Sequence, residues 1–260
     1  IHSLAIENGW WSPESGEAFE VCYAYAPGTR TRMGSRRREW RVLSLLAPSL
    51  ELNPYSENYP FSVKPDKKVT VQDVINIFRD TYEGTDFDMT KDLLSVDSSG
   101  KAAKSPVANP HMNAEYRELF RIQRERTICS AYATYVHVTQ SRDWLPDMIG
   151  GVVWLGYDNP ATTPHLPFYC GITRMPDSYR VDGRRSFSRD CAWWAFRRVS
   201  KLAAFRWQHI TQDIAKVWRK METRLLEDQA DVEAEAQKLY QKDPARAKKF
   251  LTDYCVKQAE

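Results

Sequence analysis

With 260 residues the chain is long enough for one large domain or two small ones, with a core of its own. An apolar fraction of 42% and a charged fraction of 27% are those of an ordinary globular protein, and no stretch approaches the roughly 18 apolar residues of a membrane span. A formal net charge of +3 is too small to argue for DNA or RNA.

Residues 1–8 read as the end of a helix stopped by Gly9, and a turn follows around Pro13–Gly16. The segment Phe19–Tyr25 (FEVCYAY) is aromatic and mixed enough to predict a strand. Six arginines lie between Arg30 and Arg41. They read either as a solvated or ion-paired face or as an electropositive wall for a substrate carboxylate. Val42–Leu46 is a short apolar run expected to be buried, ending at Pro48. Four prolines between Pro48 and Pro65 predict an irregular crossing.

Thr70 then opens a helix, with Thr70 and Asp73 at capping-box spacing. Val71, Val74, Ile75, Phe78 and Tyr82 share its apolar face, and Gly84 is expected to end it. From Asp86 to about Arg124 the chain is polar and aperiodic, the pattern of a long functional or mobile loop. Thr127–Gln140 and Gly151–Tyr157 predict two antiparallel strands, and Leu166–Thr173 a third, with Gly171 marking a bulge or a close approach. Ser188 is expected to cap a helix of roughly 60 Å running to about Glu227. A shorter helix should follow through Tyr240, and Asp243-Pro244 starts another. Strands followed by long helices give an α+β class, divided into residues 1–175, mostly sheet and loops, and a helical part over residues 188–260.

Nine Trp and thirteen Tyr read as core filling. The five cysteines are scattered, with no CxxC pair and no histidine at metal-ligand spacing, so zinc is not expected. His137 sits on a predicted strand and reads as structural. His111 and His165 fall in loops with no Ser or Cys in obvious register. The Trp193-Trp194 pair is expected to pack a helix on the sheet.

The stretch Pro65–Val74 (PDKKVTVQDV) resembles a signature of the dipeptidase A-like cysteine dipeptidases, relatives of the secernins among the N-terminal-nucleophile hydrolases. The blocks ENGWWSPESG, RRREWRVLSLLAPSLEL, RDTYEGTDFDMTK, VTQSRDWLPDMIGGVVWLGYD, PFYCGIT, MPDSYR and CAWWAF resemble family blocks in the family's order. The resemblance implies an αββα sandwich and hydrolysis of dipeptides without a metal or other cofactor. In that class the first residue after processing supplies the attacking side chain and, through its α-amino group, the general base. Ile1 has no nucleophile to offer. The resemblance therefore implies that residues 1–260 are the later part of one dipeptidase domain, trimmed at both ends. Its nucleophile and the rest of its sandwich would come from an upstream segment or a partner chain. The alternative is a non-catalytic structural or interaction subunit that retains the fold.

Arg126, Gln140 and Arg142 are the expected substrate or oxyanion support. Arg126 would pin a carboxylate, or else form a surface pair with Glu125 or Asp143. Gln140 and Arg142 would face a cleft, or else serve the turn. Where the family block ISIYRTSY leads one to expect an arginine, this chain reads ICSAYATY, with Ala131 and Ala133 in that neighbourhood. Expected partners are dipeptide substrates, the upstream segment and further copies in an oligomer, with neither nucleic acid nor membrane. The compartment is left open: lysosomal or secretory if the upstream segment carries a signal peptide, otherwise cytoplasmic.

Overall fold

The computed structural model describes residues 1–29, 32–96 and 98–260. Arg30, one of the clustered arginines, lies outside the described residues. The chain forms two compact units, one of residues Ile1–Val69 with Glu125–Thr127, the other of Thr70–Arg124 with Ile128–Glu260.

In the first unit, α1 (His2–Glu7) ends at Asn8, and Gly9, the expected stop, follows with a positive φ of 67°. Ser12 accepts from the Glu14 amide to cap the turn Pro13–Ser15, and Gly16 closes it. The strand expected over Phe19–Tyr25 is instead a short helix, α2 (Val21–Tyr25). Aromatic content raised the strand propensity, but that preference needs a sheet neighbour. Here Tyr25 packs edge-on to Trp10 at 5.0 Å and its hydroxyl donates to the Ile1 carbonyl at 2.6 Å.

Most of the clustered arginines lie on α3 (Met33–Leu46), whose last turn is the Val42–Leu46 run, half-buried rather than buried. Arg36 bonds Glu39 at 2.7 Å and the Tyr23 hydroxyl at 3.1 Å. Arg37 is buried, donates to the Pro54 carbonyl and lies 3.6 Å from Glu125. Arg38 donates to the carbonyls of Arg126 and Thr127 at 3.0 and 2.9 Å. Arg36 and Arg37 thus meet carboxylates, as the ion-pairing reading expected, and Arg38 holds backbone carbonyls. Residues 51–69 are irregular, tied by bonds such as Ser49 to Asp66 and Tyr59 to the Asn53 carbonyl.

The second unit opens with α4 (Val71–Phe78), where Thr70 and Asp73 form the full capping box. The helix stops at Arg79, short of Gly84, and Tyr82 is fully buried with a positive φ of 65°. The expected long loop holds an antiparallel pair, β1 (Leu94–Val96) and β2 (Ala102–Lys104), and then α5 (Ala114–Leu119). The main sheet has the order β3 (Tyr135–Gln140), β4 (Val152–Tyr157), β5 (Leu166–Tyr169), all antiparallel, with α6 (Asp147–Gly150) between the first two.

β3 begins eight residues later than the sequence predicts. The preceding backbone is bonded elsewhere: the Cys129 amide donates to the Asp80 carbonyl, and the Ala133 amide to the Ser130 carbonyl. His137 is exposed and its ring stacks on Tyr135 at 5.7 Å. Gly171 is a close approach, as expected, since a Cβ there would lie 2.6 Å from that of Met148.

After α7 (Asp177–Arg180) comes α8 (Ala192–Ala203), which starts at Cys191 rather than Ser188. A 3-10 turn at Ala204–Arg206 breaks the expected single helix, and α9 then runs unbroken from Trp207 to Lys242. α10 (Pro244–Ala259) starts as the sequence predicts, with Asp243 accepting from Ala245 and Pro244 in the first turn. Trp154, Ile75, Leu225 and Leu251 are fully buried at the centre of one core formed by the sheet, α4, α9 and α10. The class is α+β. No helix among the described residues is long and apolar enough to cross a membrane.

Candidate functional site

The connection from β4 to β5 is where this unit gathers its buried polar groups. β4 ends because Asp158 adopts φ 62°, a left-handed conformation that costs a non-glycine residue energy and persists only when its surroundings enforce it. Arg197, from α8, supplies that enforcement: it bonds the Asp158 carboxylate at 2.7 Å and the Ala131 carbonyl at 2.8 Å. Asp158 is fully buried, and its second oxygen has no hydrogen-bond partner among the described residues. Arg197 thus reaches the Ala131 backbone from 66 positions further along the chain.

The next residue, Asn159, accepts from the Cys129 thiol at 3.2 Å and from the Ala161 amide at 3.0 Å. His111 Nε2 lies 3.7 Å from the same sulfur. Cys129, His111 and Asn159 therefore meet, although no local signature in the sequence joins His111 to Cys129. They do not make an activated thiol. Burial pushes the Cys129 thiol up to about 12 and the His111 imidazole down to about 4. Both are uncharged at neutral pH, whereas a nucleophilic cysteine needs its thiolate.

Further along, His165 sits between Arg79 and Glu222. Arg79 bonds the Glu222 carboxylate at 2.6 and 2.8 Å, donates to the carbonyls of Pro160 and Thr163, and lies 3.4 Å over the Trp218 ring. Burial opposes the charge on Glu222, but the bonds from Arg79 and His165 outweigh it and hold the carboxyl at about 2. Burial foremost keeps His165 below its ordinary value, so the ring is neutral at pH 7 and its Nδ1 faces the Arg79 donor at 3.3 Å.

Beside this connection lies a pocket of about 450 Å³, whose walls include Thr134, Tyr157, Tyr179, Val181, Asp182 and Trp193. Its size falls in the range of small-molecule sites. Trp193 is fixed by an indole bond to the Thr134 carbonyl at 3.0 Å. Among the described residues, no cluster of three or more His, Cys, Asp or Glu is placed to hold a metal.

The three residues expected from the sequence are dispersed. Arg126 is exposed in the first unit, its side chain alongside Gly34, where a Cβ would come within 3.2 Å of the arginine Cδ. Gln140 and Arg142 are brought together in the second unit, through α9. Arg142 grips Glu233 at 2.6 and 2.7 Å and donates to the carbonyls of Gly150 and Ile149. Gln140 accepts from Gln229, which also donates to Glu233. Neither residue lines the pocket.

The model of peptidase family C69 matches residues 1–220. The chain belongs to that family. Probable dipeptidase B of Streptococcus pyogenes serotype M1 is 22% identical over 251 residues, covering 93% of this chain and 45% of that protein. A probable dipeptidase of Latilactobacillus sakei is 27% identical over 157 residues, 60% of this chain and 28% of its own length. Probable dipeptidase A of Streptococcus pyogenes serotype M18 is 24% identical over 201 residues, 77% of this chain and 38% of the relative. This C69 chain thus spans less than half the length of these relatives. Its family match takes in both units and ends within α9.

Proposed function

We propose that the chain is the later part of a cysteine-type dipeptidase of the N-terminal-nucleophile class, whose attacking cysteine comes from a segment outside these residues. The C69 match over residues 1–220, together with dipeptidases similar along 93% of the chain, carries this reading. The state of the internal cysteines supports it. None is disulfide-bonded; Cys129, Cys191 and Cys255 are buried, and burial pushes the Cys129 and Cys255 thiols up to about 12 and about 11. Cys22 and Cys170 are exposed.

In this reading the thiolate attacks the peptide carbonyl and expels the amine, and water then releases the acyl group. The three-stranded sheet is one layer of an αββα sandwich that the outside segment or a partner chain completes. Gln140 and Arg142 act at a remove, by fixing the end of β3 to α9 through Glu233. The assembly is oligomeric and binds no nucleic acid.

The test is peptide cleavage measured by release of free amino acid. The 260-residue chain is expected to leave dipeptides intact, and a polypeptide that also carries the upstream segment is expected to cleave them. Turnover by the 260-residue chain, lost on replacing one of its own cysteines by serine, overturns the reading.

A further inference from the structure

The pocket beside Tyr157 has walls and a rim of different chemistry, and the difference points to a ligand. Its walls are aromatic. Tyr157 and Tyr179 lie with ring centroids 4.9 Å apart and planes tilted by 35°, and Trp193 and Val181 add apolar surface. Ring separations of that size are where aromatic side chains attract one another beyond simple burial. The rim carries one charge of each sign. Arg184 forks onto the Asp182 carboxylate at 3.0 and 3.2 Å, and its backbone amide adds a bond at 2.9 Å. Both side chains are open to water, at 88% and 45% exposure, so the pair is weak and readily exchanged. The loop bearing it is held in place nevertheless, because the Trp194 indole donates to the Gly183 and Ser186 carbonyls at 2.9 and 3.0 Å.

We infer that this pocket takes the aromatic side chain of a zwitterionic dipeptide, with Asp182 receiving its ammonium group and Arg184 its carboxylate. The guanidinium fork suits a carboxylate in two-point contact. A free dipeptide presents both charges within a few bonds of the side chain, which a longer peptide does not. The inference rests on the dipeptidase reading and deepens it, from dipeptides in general to those with an aromatic residue.

Calorimetric titration of the 260-residue chain with Gly-Phe, Gly-Gly and N-acetylphenylalaninamide tests it. Gly-Phe is expected to bind in a one-to-one complex, and Gly-Gly at least about ten-fold more weakly, for want of a buried ring. Asp182→Asn and Arg184→Gln should each weaken Gly-Phe by up to about five-fold and leave the uncharged amide unchanged. Ser178→Trp, which fills the pocket, should abolish binding of both ring-bearing ligands. Circular dichroism establishes that each variant is folded. Equal affinity for Gly-Gly and Gly-Phe, charge variants without effect, or no saturable binding at all overturns the inference. Dipeptide cleavage by the longer polypeptide with no binding in this pocket would refute the inference alone. Binding here, with no cleavage by the longer polypeptide, would refute the enzymatic reading instead.

Discussion

Glu222 keeps a negative charge with a side chain only 1% exposed, and Arg79 is what makes that arrangement stable. A buried pair is costly to assemble, and costlier still to break, because the surviving partner is left charged and unpaired. Glu222→Gln is therefore expected to lower folding stability by about 3 kcal/mol or more at neutral pH, read from the urea midpoint. The sign of the pH dependence follows from the carboxyl being held at about 2, below its ordinary 4.5. Folding favours the ionised form, so the contribution is complete above pH 4.5 and drains away as pH falls towards 2. The gap between native protein and variant should accordingly narrow from pH 6 to pH 3. A gap of constant size would show that the pair is not its source. None of this was visible in the sequence. Arg79 and Glu222 are 143 positions apart, and His165 reaches them only because the β4–β5 connection folds back. Spacing rules reach a few residues along one element, so they linked neither this triad nor His111 to Cys129.

At the scale of elements, the sequence was most informative where a local signal coincided with the packing. The Thr70–Asp73 box and the Asp243-Pro244 start both fix helix ends through bonds within four residues, and both form as expected. β4 and β5 were legible because apolar residues dominate strands that are buried in the sheet. α2 and residues 127–134, ahead of β3, depart from the expected strands for a common reason: their aromatic and β-branched residues favour strands only when a neighbouring strand is at hand. Gly171 stands where β5 gives way to a turn pressed on α6. A Cβ there would meet Met148 Cβ at 2.6 Å and its carbonyl oxygen at 2.8 Å, and the backbone atom cannot rotate aside. Gly171→Ala should cost about 1–3 kcal/mol in thermal or denaturant unfolding. Gly28→Ala, where no atom of the described residues lies within 4 Å of the added carbon, serves as the comparison. Equal stability of the two variants would remove the steric argument.

For the molecule as a whole, the family assignment was legible from ordered blocks, but the division into two compact units was not. Glu125–Thr127 belongs with residues 1–69 although it lies far along the chain, a connection no local composition announces. The two units also differ in what holds them together. Among its described residues, the first buries only Ala5, Ala24, Trp40 and Ala47 as apolar side chains, three of them alanines, and relies on arginine hydrogen bonds. The second buries Trp154, Tyr82, Tyr169, Ile75, Ile149, Leu225 and Leu251. Local opening follows buried apolar contact, so the first unit should open at lower free energy. Hydrogen exchange followed by mass spectrometry is expected to show faster exchange in peptides from α1, α2 and α3 than in those from β4, β5 and α10. The difference should persist in mild urea, where global unfolding is still rare. Indistinguishable protection across these peptides would mean that the arginine network stabilises its unit as firmly as a full apolar core does.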